Sequence, residues 1–240
     1  KNYGGAKTWP APQGWDNDQQ WHGPPDAVLD SGRYRVSDVG TTGQAATVEM
    51  VSPPDPRTGL QITRRLTLER RSSRLTLDLS FTNISDRTTR WSIWDVTQVR
   101  AEQFGEDGSL EPDTSCVVTA PLNPASRHER GFAVMFGDEE NPQWQADTES
   151  SLFIGRYLNR VGKVSIDSPG GWIAFANRNS GNAFIERFTV DPDAEYPDDG
   201  ATVECWTTGT GVVGNLNFED SKIYHMETEV LSPLHTFEPG

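Results

Sequence analysis

"LQITRRLTLERRSSRLTLDLSFTNIS" (residues 60–85) decides the fold class of this chain. Leu60, Ile62, Leu66 and Leu68 alternate with polar residues, and so do Leu75, Leu77, Leu79 and Phe81. Side chains on a strand alternate between its two faces, so this period of two gathers the apolar ones on one side. Arg71-Ser72-Ser73 interrupts the pattern as a turn would. The stretch predicts a β-hairpin with one wet face. The next segment, "TRWSIWDVTQVRA" (89–101), carries large residues on both faces and predicts a strand covered on both sides.

Further strand candidates follow at short intervals: "SCVVTA" (115–120), "GFAVMF" (131–136), "SLFIGRYL" (151–158), "KVSIDS" (163–168), "GWIAFANR" (171–178), "AFIERFTV" (183–190), "ATVECWTTG" (201–209), "VVGNLNFE" (212–219) and "IYHMETEVLS" (223–232). Turn-forming runs such as "NSGN" (179–182) and "DPDAEYPDDG" (191–200) separate them. No stretch keeps a helical period over three turns. The chain therefore reads as all-β and antiparallel. Roughly a dozen strands exceed what one open sheet usually holds, which predicts two large packed sheets. With no internal repeat and no linker, residues 1–240 read as one domain. Residues 1–32 read as a stiff aromatic loop, neither helix nor central strand, and the closing "LHTFEPG" reads as a turn with no strand after it.

Composition narrows the partners. The 240 residues carry a net charge of −14, with 34% hydrophobic and 10% aromatic residues. Nucleic acid is a poor partner, because phosphate binding needs clustered cations, and an acidic membrane face is disfavoured for the same reason. No apolar run reaches the ~18 residues of a membrane span. Neutral sugars, cations, or an anionic sugar gripped in a local basic pocket remain. The basic residues are 17 Arg against Lys1, Lys7, Lys163 and Lys222. Few lysines and many acids suit a salty, exported setting, although no signal peptide is visible and both ends read as cut. Cys116 and Cys205 fit either one disulfide or two buried thiols, and two cysteines alone build no zinc site. Oligomeric state is not legible.

Three stretches could carry chemistry. In "IYHMETEVLSP", Tyr224, Met226, Thr228 and Val230 point one way, and His225, Glu227, Glu229 and Leu231 the other. Alternate residues stand ~6.6 Å apart, so His225, Glu227 and Glu229 form a row. It fits an acid–base or metal-ligating face, or a plain solvent-facing one. In the opening loop, Trp9, Trp15 and Trp21 could form a platform for sugar rings or a lid packed on a sheet; His22 could move a proton near neutral pH, and Lys7 could meet a carboxylate. In "WSIWDVTQV", Trp94 and Gln98 share a face that lines a cleft or fills the core. Arg156, Tyr157, Glu186, Arg187 and Glu204 interrupt apolar strands, which edge positions would explain; Glu186 and Arg187 are adjacent and face opposite ways. No phosphate loop, zinc spacing, nucleophile elbow or calcium loop is present, so neither metal nor cofactor is expected.

Taken together, "NYGGAKTWPAPQGW", "GPPDAVLDSG", "WSIWDVTQV", "AFIERFTVDPDAEYPDDGATVECWTTG" and "METEVLSPL" resemble an uncharacterised family, a domain of unknown function within the galactose-mutarotase-like (aldose 1-epimerase) superfamily. The resemblance covers most of the chain. It implies a β-supersandwich of two large, mostly antiparallel sheets with a sugar cleft on the concave face of one. In the epimerases a His is the general acid and a Glu near the C-terminus the general base. The base role maps onto Glu229, or else Glu227. The His-bearing strand maps onto "WSIWDVTQV", which has no His and carries Trp94 and Asp95 there; His22 or His225 would supply the acid instead. The superfamily's strands before the glycine-rich loop and after the last turn are missing by this comparison. The expected ligand is a carbohydrate, with Lys7, Trp9, Trp15, Trp21, Trp94, Gln98 and Arg156 as contacts. Three functions follow: an epimerase-like isomerase, a carbohydrate-binding module without chemistry, or a polysaccharide lyase, which would need Lys7 or Arg156 to neutralise a uronate.

Overall fold

The computed structural model describes residues 5–14, 17, 19–213 and 216–239. Among these residues the strands are β1 (Gly5–Ala11), β2 (Arg35–Thr41), β3 (Ala45–Val51), β4 (Leu60–Glu69), β5 (Leu75–Asn83), β6 (Thr89–Arg100), β7 (Glu102–Phe104), β8 (Leu110–Pro112), β9 (Cys116–Pro121), β10 (Ala133–Phe136), β11 (Trp144–Asp147), β12 (Leu152–Arg156), β13 (Gly162–Ile166), β14 (Trp172–Asn177), β15 (Asn182–Arg187), β16 (Val203–Thr207), β17 (Val212–Val213), β18 (Leu216–Asn217), β19 (His225–Leu231) and β20 (His235–Phe237). Among the described residues the helical content is one turn, Pro197–Gly200. The chain is all-β with antiparallel ladders, as its alternating pattern predicts. Contacts group it into two compact units: a larger one of Lys1–Ala6 and Asp95–Pro233, and a smaller one of Lys7–Trp94 and Leu234–Gly240.

The larger unit is a β-sandwich. One layer is the five-stranded sheet β11-β12-β9-β14-β15; the other is the sheet in which β6, β19, β16, β13 and β10 lie side by side. Between them sits one apolar core. Val118, Phe153, Ile173 and Phe175 enter it from the first layer, and Val164, Ile166, Val203, Cys205 and Met226 from the second. Full burial of each such side chain contributes roughly 1.5–3 kcal/mol. Both cysteines are buried and free, so of the two readings the thiols hold. The alternation in β19 now has a direction: Met226 belongs to the core, which leaves His225, Glu227 and Glu229 on the other face.

The smaller unit holds the four-stranded sheet β2-β3-β4-β5. The hairpin read from residues 60–85 is β4 and β5, with Leu66 opposite Leu77 and Leu68 opposite Leu75. Three expectations change. Residues Gly5–Ala11 of the supposed opening loop form a strand, paired with β6. It is tolerated because β1 is an edge, where Pro10 need not donate a ladder hydrogen bond. The closing stretch that reads as a turn itself holds a strand: β20 pairs with β6, His235 opposite Trp91. The arrangement also holds more than two sheets, since β2–β5 form their own and β7-β8 and β17-β18 are small two-stranded ones.

Candidate functional site

The outer face of the sandwich sheet brings together the most unusual side chains of the chain. Residues directly opposite in an antiparallel ladder share a face. One row across the sheet therefore reads Glu229, Glu204, Ser165, and the next reads Glu227, Trp206, Lys163, Phe136. Lys163 reaches from the second row into the first. Its Nζ lies 2.6 Å from Glu204 Oε2 and 2.9 Å from Glu229 Oε2. Glu229 is 0% exposed and Glu204 1%.

Two carboxylates around one ammonium, out of water, leave an excess of negative charge. Burying an ion costs several kcal/mol unless it is compensated. Burial alone would lower the Lys163 pKa, but the two carboxylates more than reverse this and keep it charged. Burial pushes Glu229 well above the usual carboxylate range; Lys163 opposes this, and Glu204 and Glu227 add to it. Glu204 is raised for the same first reason, with Lys163 opposing and Asp198 adding. Asp198, raised by its own burial, sits on the Pro197–Gly200 turn in left-handed backbone at φ 50°. Burial and the neighbouring carboxylates thus favour the protonated form of Glu229, against the pull of Lys163.

Beside this cluster the face opens. Gln98 Nε2 donates to Glu227 Oε1 at 2.6 Å, and His225 Nε2 stands 3.2 Å from the same oxygen. The His225 backbone N–H donates to Thr208 Oγ1 at 2.8 Å, which fixes the start of the strand. Trp206, directly across from Glu227, is half-buried. Its ring centroid lies 6.5 Å from that of Phe136 and 6.2 Å from that of Phe218, both at steep angles. The result is a hydrogen-bonding carboxylate and imidazole next to a partly open indole.

Of the residues read from sequence, Glu229, Glu227, His225 and Gln98 come together here. Trp9, Trp21 and Trp94 do not form an open platform. They are 4%, 0% and 4% exposed, with Trp9 ring centroids 5.3 Å from Trp21 and 5.2 Å from Trp94. The rings are taken up by one another, because three indoles bury more apolar area together than the polar residues around them could shield singly. Trp15 lies outside the described residues. His22 bonds Gly23 O through Nδ1 at 2.6 Å and approaches Asp26 Oδ2 through Nε2 at 3.2 Å, stacked on Trp21. Lys7 pairs with Asp30 at 3.1 Å. Arg156 ends β12 in the other layer of the sandwich and is exposed.

Lys163, Trp206 and Phe136 were not singled out, and Glu204 was assigned to an edge, whereas β16 is an interior strand between β13 and β19. A signal existed for both charges: one of four lysines, and a glutamate, each inside an apolar strand. Glu186 does lie on an edge strand, where Thr228 Oγ1 donates to its Oε1 at 3.3 Å; burial raises its pKa to about 8. Among the described residues no group of three His, Cys, Asp or Glu is arranged to hold a metal ion, and none of their helices is long and apolar enough to cross a membrane.

No family model matches this sequence, and no curated protein matches it. Among solved structures the chain is similar to a galactose mutarotase-like protein from Lactobacillus casei ATCC 334, at 13% identity and a TM-score of 0.49, over 88% of this chain and 69% of that one.

Proposed function

We propose that the outer face of β19, β16 and β13 is a carbohydrate site, with Trp206 as the ring on which a pyranose stacks and His225 and Glu227 as the couple that exchanges protons with its hydroxyls. The observation that carries this is the convergence of Gln98 and His225 on Glu227 Oε1, across the ladder from a half-buried indole. In an epimerase-like reaction Glu227 takes the proton of the anomeric hydroxyl while His225 protonates the ring oxygen. The C1–O5 bond breaks, the sugar opens to its aldehyde, and reclosure on the other face returns both protons. Glu229, the alternative base, is the less suited of the two carboxylates: it is shut from solvent and gripped by Lys163.

The same burial of Glu229 favours a second reading, a binding module without turnover. A uronate-directed lyase draws no support, because Lys163 is bracketed by two carboxylates, Lys7 by Asp30, and Arg156 belongs to the other layer. Mutarotation of α-glucose and α-galactose, followed by polarimetry together with a glycan array, separates the readings. Glu227→Gln should lower turnover by ~10²-fold or more while sparing affinity. Glycan binding with no turnover in the unaltered protein would select the binding module, and neither binding nor turnover would overturn the carbohydrate reading.

A further inference from the structure

The four-stranded sheet of the smaller unit has an apolar face that its own unit leaves open at one end. Register defines it. Val39, Val48, Leu66 and Leu77 stand in one row, Thr41, Ala46, Leu68 and Leu75 in the next outward, and Val36, Met50, Arg64 and Leu79 in the next inward, so a guanidinium separates the base of the face from its outer rows. Val36 and Val39 are three residues apart and would fall on opposite faces of a regular strand. A bulge between Val36 and Asp38 absorbs the extra residue and returns both to the apolar side. The reverse face is polar, with Thr47, Thr67 and Thr76 in one row and Glu49, Arg65 and Asp78 in another.

Leu60 and Ile62 are fully buried at the base of this face, while Leu68 is 48% and Leu75 51% exposed in the outer row at its tip, and Val36 is 53% and Val39 70% exposed on the edge strand β2. At the same tip the β4–β5 turn carries Arg70, Arg71 and Arg74, all exposed and with no ion pair among the described residues. Arg70 Nη1 donates to Gly43 O at 3.3 Å, tying this turn to the β2–β3 turn. The setting makes the cluster unusual. The smaller unit holds 11 basic and 11 acidic residues, so the whole net charge of −14 falls on the larger one. Three unpaired arginines beside an open aliphatic face are a local positive end on a neutral body.

We propose that this end docks an acidic amphipathic protein segment. Its apolar side chains cover Val39, Leu68 and Leu75, and its carboxylates meet Arg70, Arg71 and Arg74. Arginine forks bind carboxylates in bidentate fashion, and all three positions hold Arg rather than Lys. Aliphatic surface flanked by arginine matches the make-up of protein interfaces, where Arg is enriched and burial of the apolar centre supplies affinity.

The test uses the intact chain and a fluorescein-labelled helical peptide of about 18 residues, five turns, with Leu on one face and Glu on the other. A peptide of the same composition in scrambled order is the control. Anisotropy should show binding of the ordered peptide, weakened by salt. Affinity should fall at least about tenfold in Arg70→Glu/Arg71→Glu/Arg74→Glu and in Leu68→Ser/Leu75→Ser. Both variants change exposed side chains only, and far-UV circular dichroism verifies that the fold is kept. The proposal is overturned by no binding of the ordered peptide, by equal binding of the scrambled one, or by variants that bind as the parent does. Arginine-dependent capture on phosphatidylglycerol vesicles without peptide binding would also overturn it, and would assign the patch to lipid.

Discussion

Lys163 Nζ lies 2.6 Å from Glu204 Oε2, with both side chains closed off from solvent on the face opposite the core. Buried pairs of this kind are poor sources of net stability but are costly to break, because the survivor is left charged without a partner. Lys163→Met should therefore lose on the order of 3–5 kcal/mol, read as a shift of the urea midpoint. Adding Glu204→Gln and Glu229→Gln to that change should restore most of the loss. A single Lys163→Met costing under about 1 kcal/mol would show that the ammonium is not what the two carboxylates depend on.

Glu186 sets a pH dependence of stability. Its pKa is raised to about 8 by burial, with Thr97 and Thr228 hydrogen bonds opposing and Asp95 adding. The unfolded chain releases this proton near pH 4.5, the folded chain only near 8. Between those values the folded form binds more protons, so stability falls as pH rises and is fully retained below the lower value. Glu229 and Glu204 act in the same sense. Glu186→Gln should flatten part of the decline, by roughly 2 kcal/mol between pH 5 and 8 after allowance for nearby solvent. Urea unfolding at the two pH values checks it; parallel slopes in both proteins would count against it.

Of the two readings of the opening indoles, platform or packed lid, the described rings follow the packed one, and this makes a structural prediction. Trp21 is fully buried against Trp9, Trp94 and His22. Trp21→Ala should cost roughly 3–5 kcal/mol by leaving a cavity. Near-ultraviolet circular dichroism should lose part of the tryptophan signal that these packed indoles give. Retention of full stability would mean that the cluster collapses onto the vacancy without penalty.

The two thiols should behave as inert core groups. Burial drives the Cys116 pKa to about 12, with Asp113 adding to it, and burial raises that of Cys205 well above its usual value. Thiolate, the reactive form, is therefore scarce at neutral pH. A chromogenic disulfide reagent should label neither Cys116 nor Cys205 in the native protein and both in denaturant. Rapid native labelling of either would contradict the burial described.

What was legible in the sequence followed from period. The β4–β5 hairpin, the doubly covered β6 and the row His225, Glu227, Glu229 could be read because uninterrupted alternation assigns each side chain a face. The β2–β3 hairpin was missed because the bulge between Val36 and Asp38 breaks that period. The pairing of Lys163 with Glu204 was out of reach for a different reason. Each looks like a lone charge in an apolar strand, and only the β13–β16–β19 ladder, spanning residues far apart in the chain, makes them partners. For Trp9, Trp21 and Trp94 the sequence left packing and an open platform side by side, because a polar, proline-rich context hides aromatic burial supplied by distant strands.

Trp206 offers the sharpest separation of affinity from chemistry at the candidate site. Its ring meets Phe136 and Phe218 at steep angles, so the three rings are not stacked face to face. Glu227 lies across the ladder from it and is bound by Gln98 and His225. Removing the ring should then weaken ligand binding without disturbing the carboxylate. Trp206→Ala should lower sugar affinity about tenfold, and Trp206→Phe should recover much of it, since a smaller aromatic face remains. Ligand-induced quenching of tryptophan fluorescence should diminish in both variants relative to the parent, because the reporter ring is gone. If Trp206→Ala binds the same sugar as tightly as the parent, stacking on this indole is not how the face recognises its ligand, even if Glu227 proves essential.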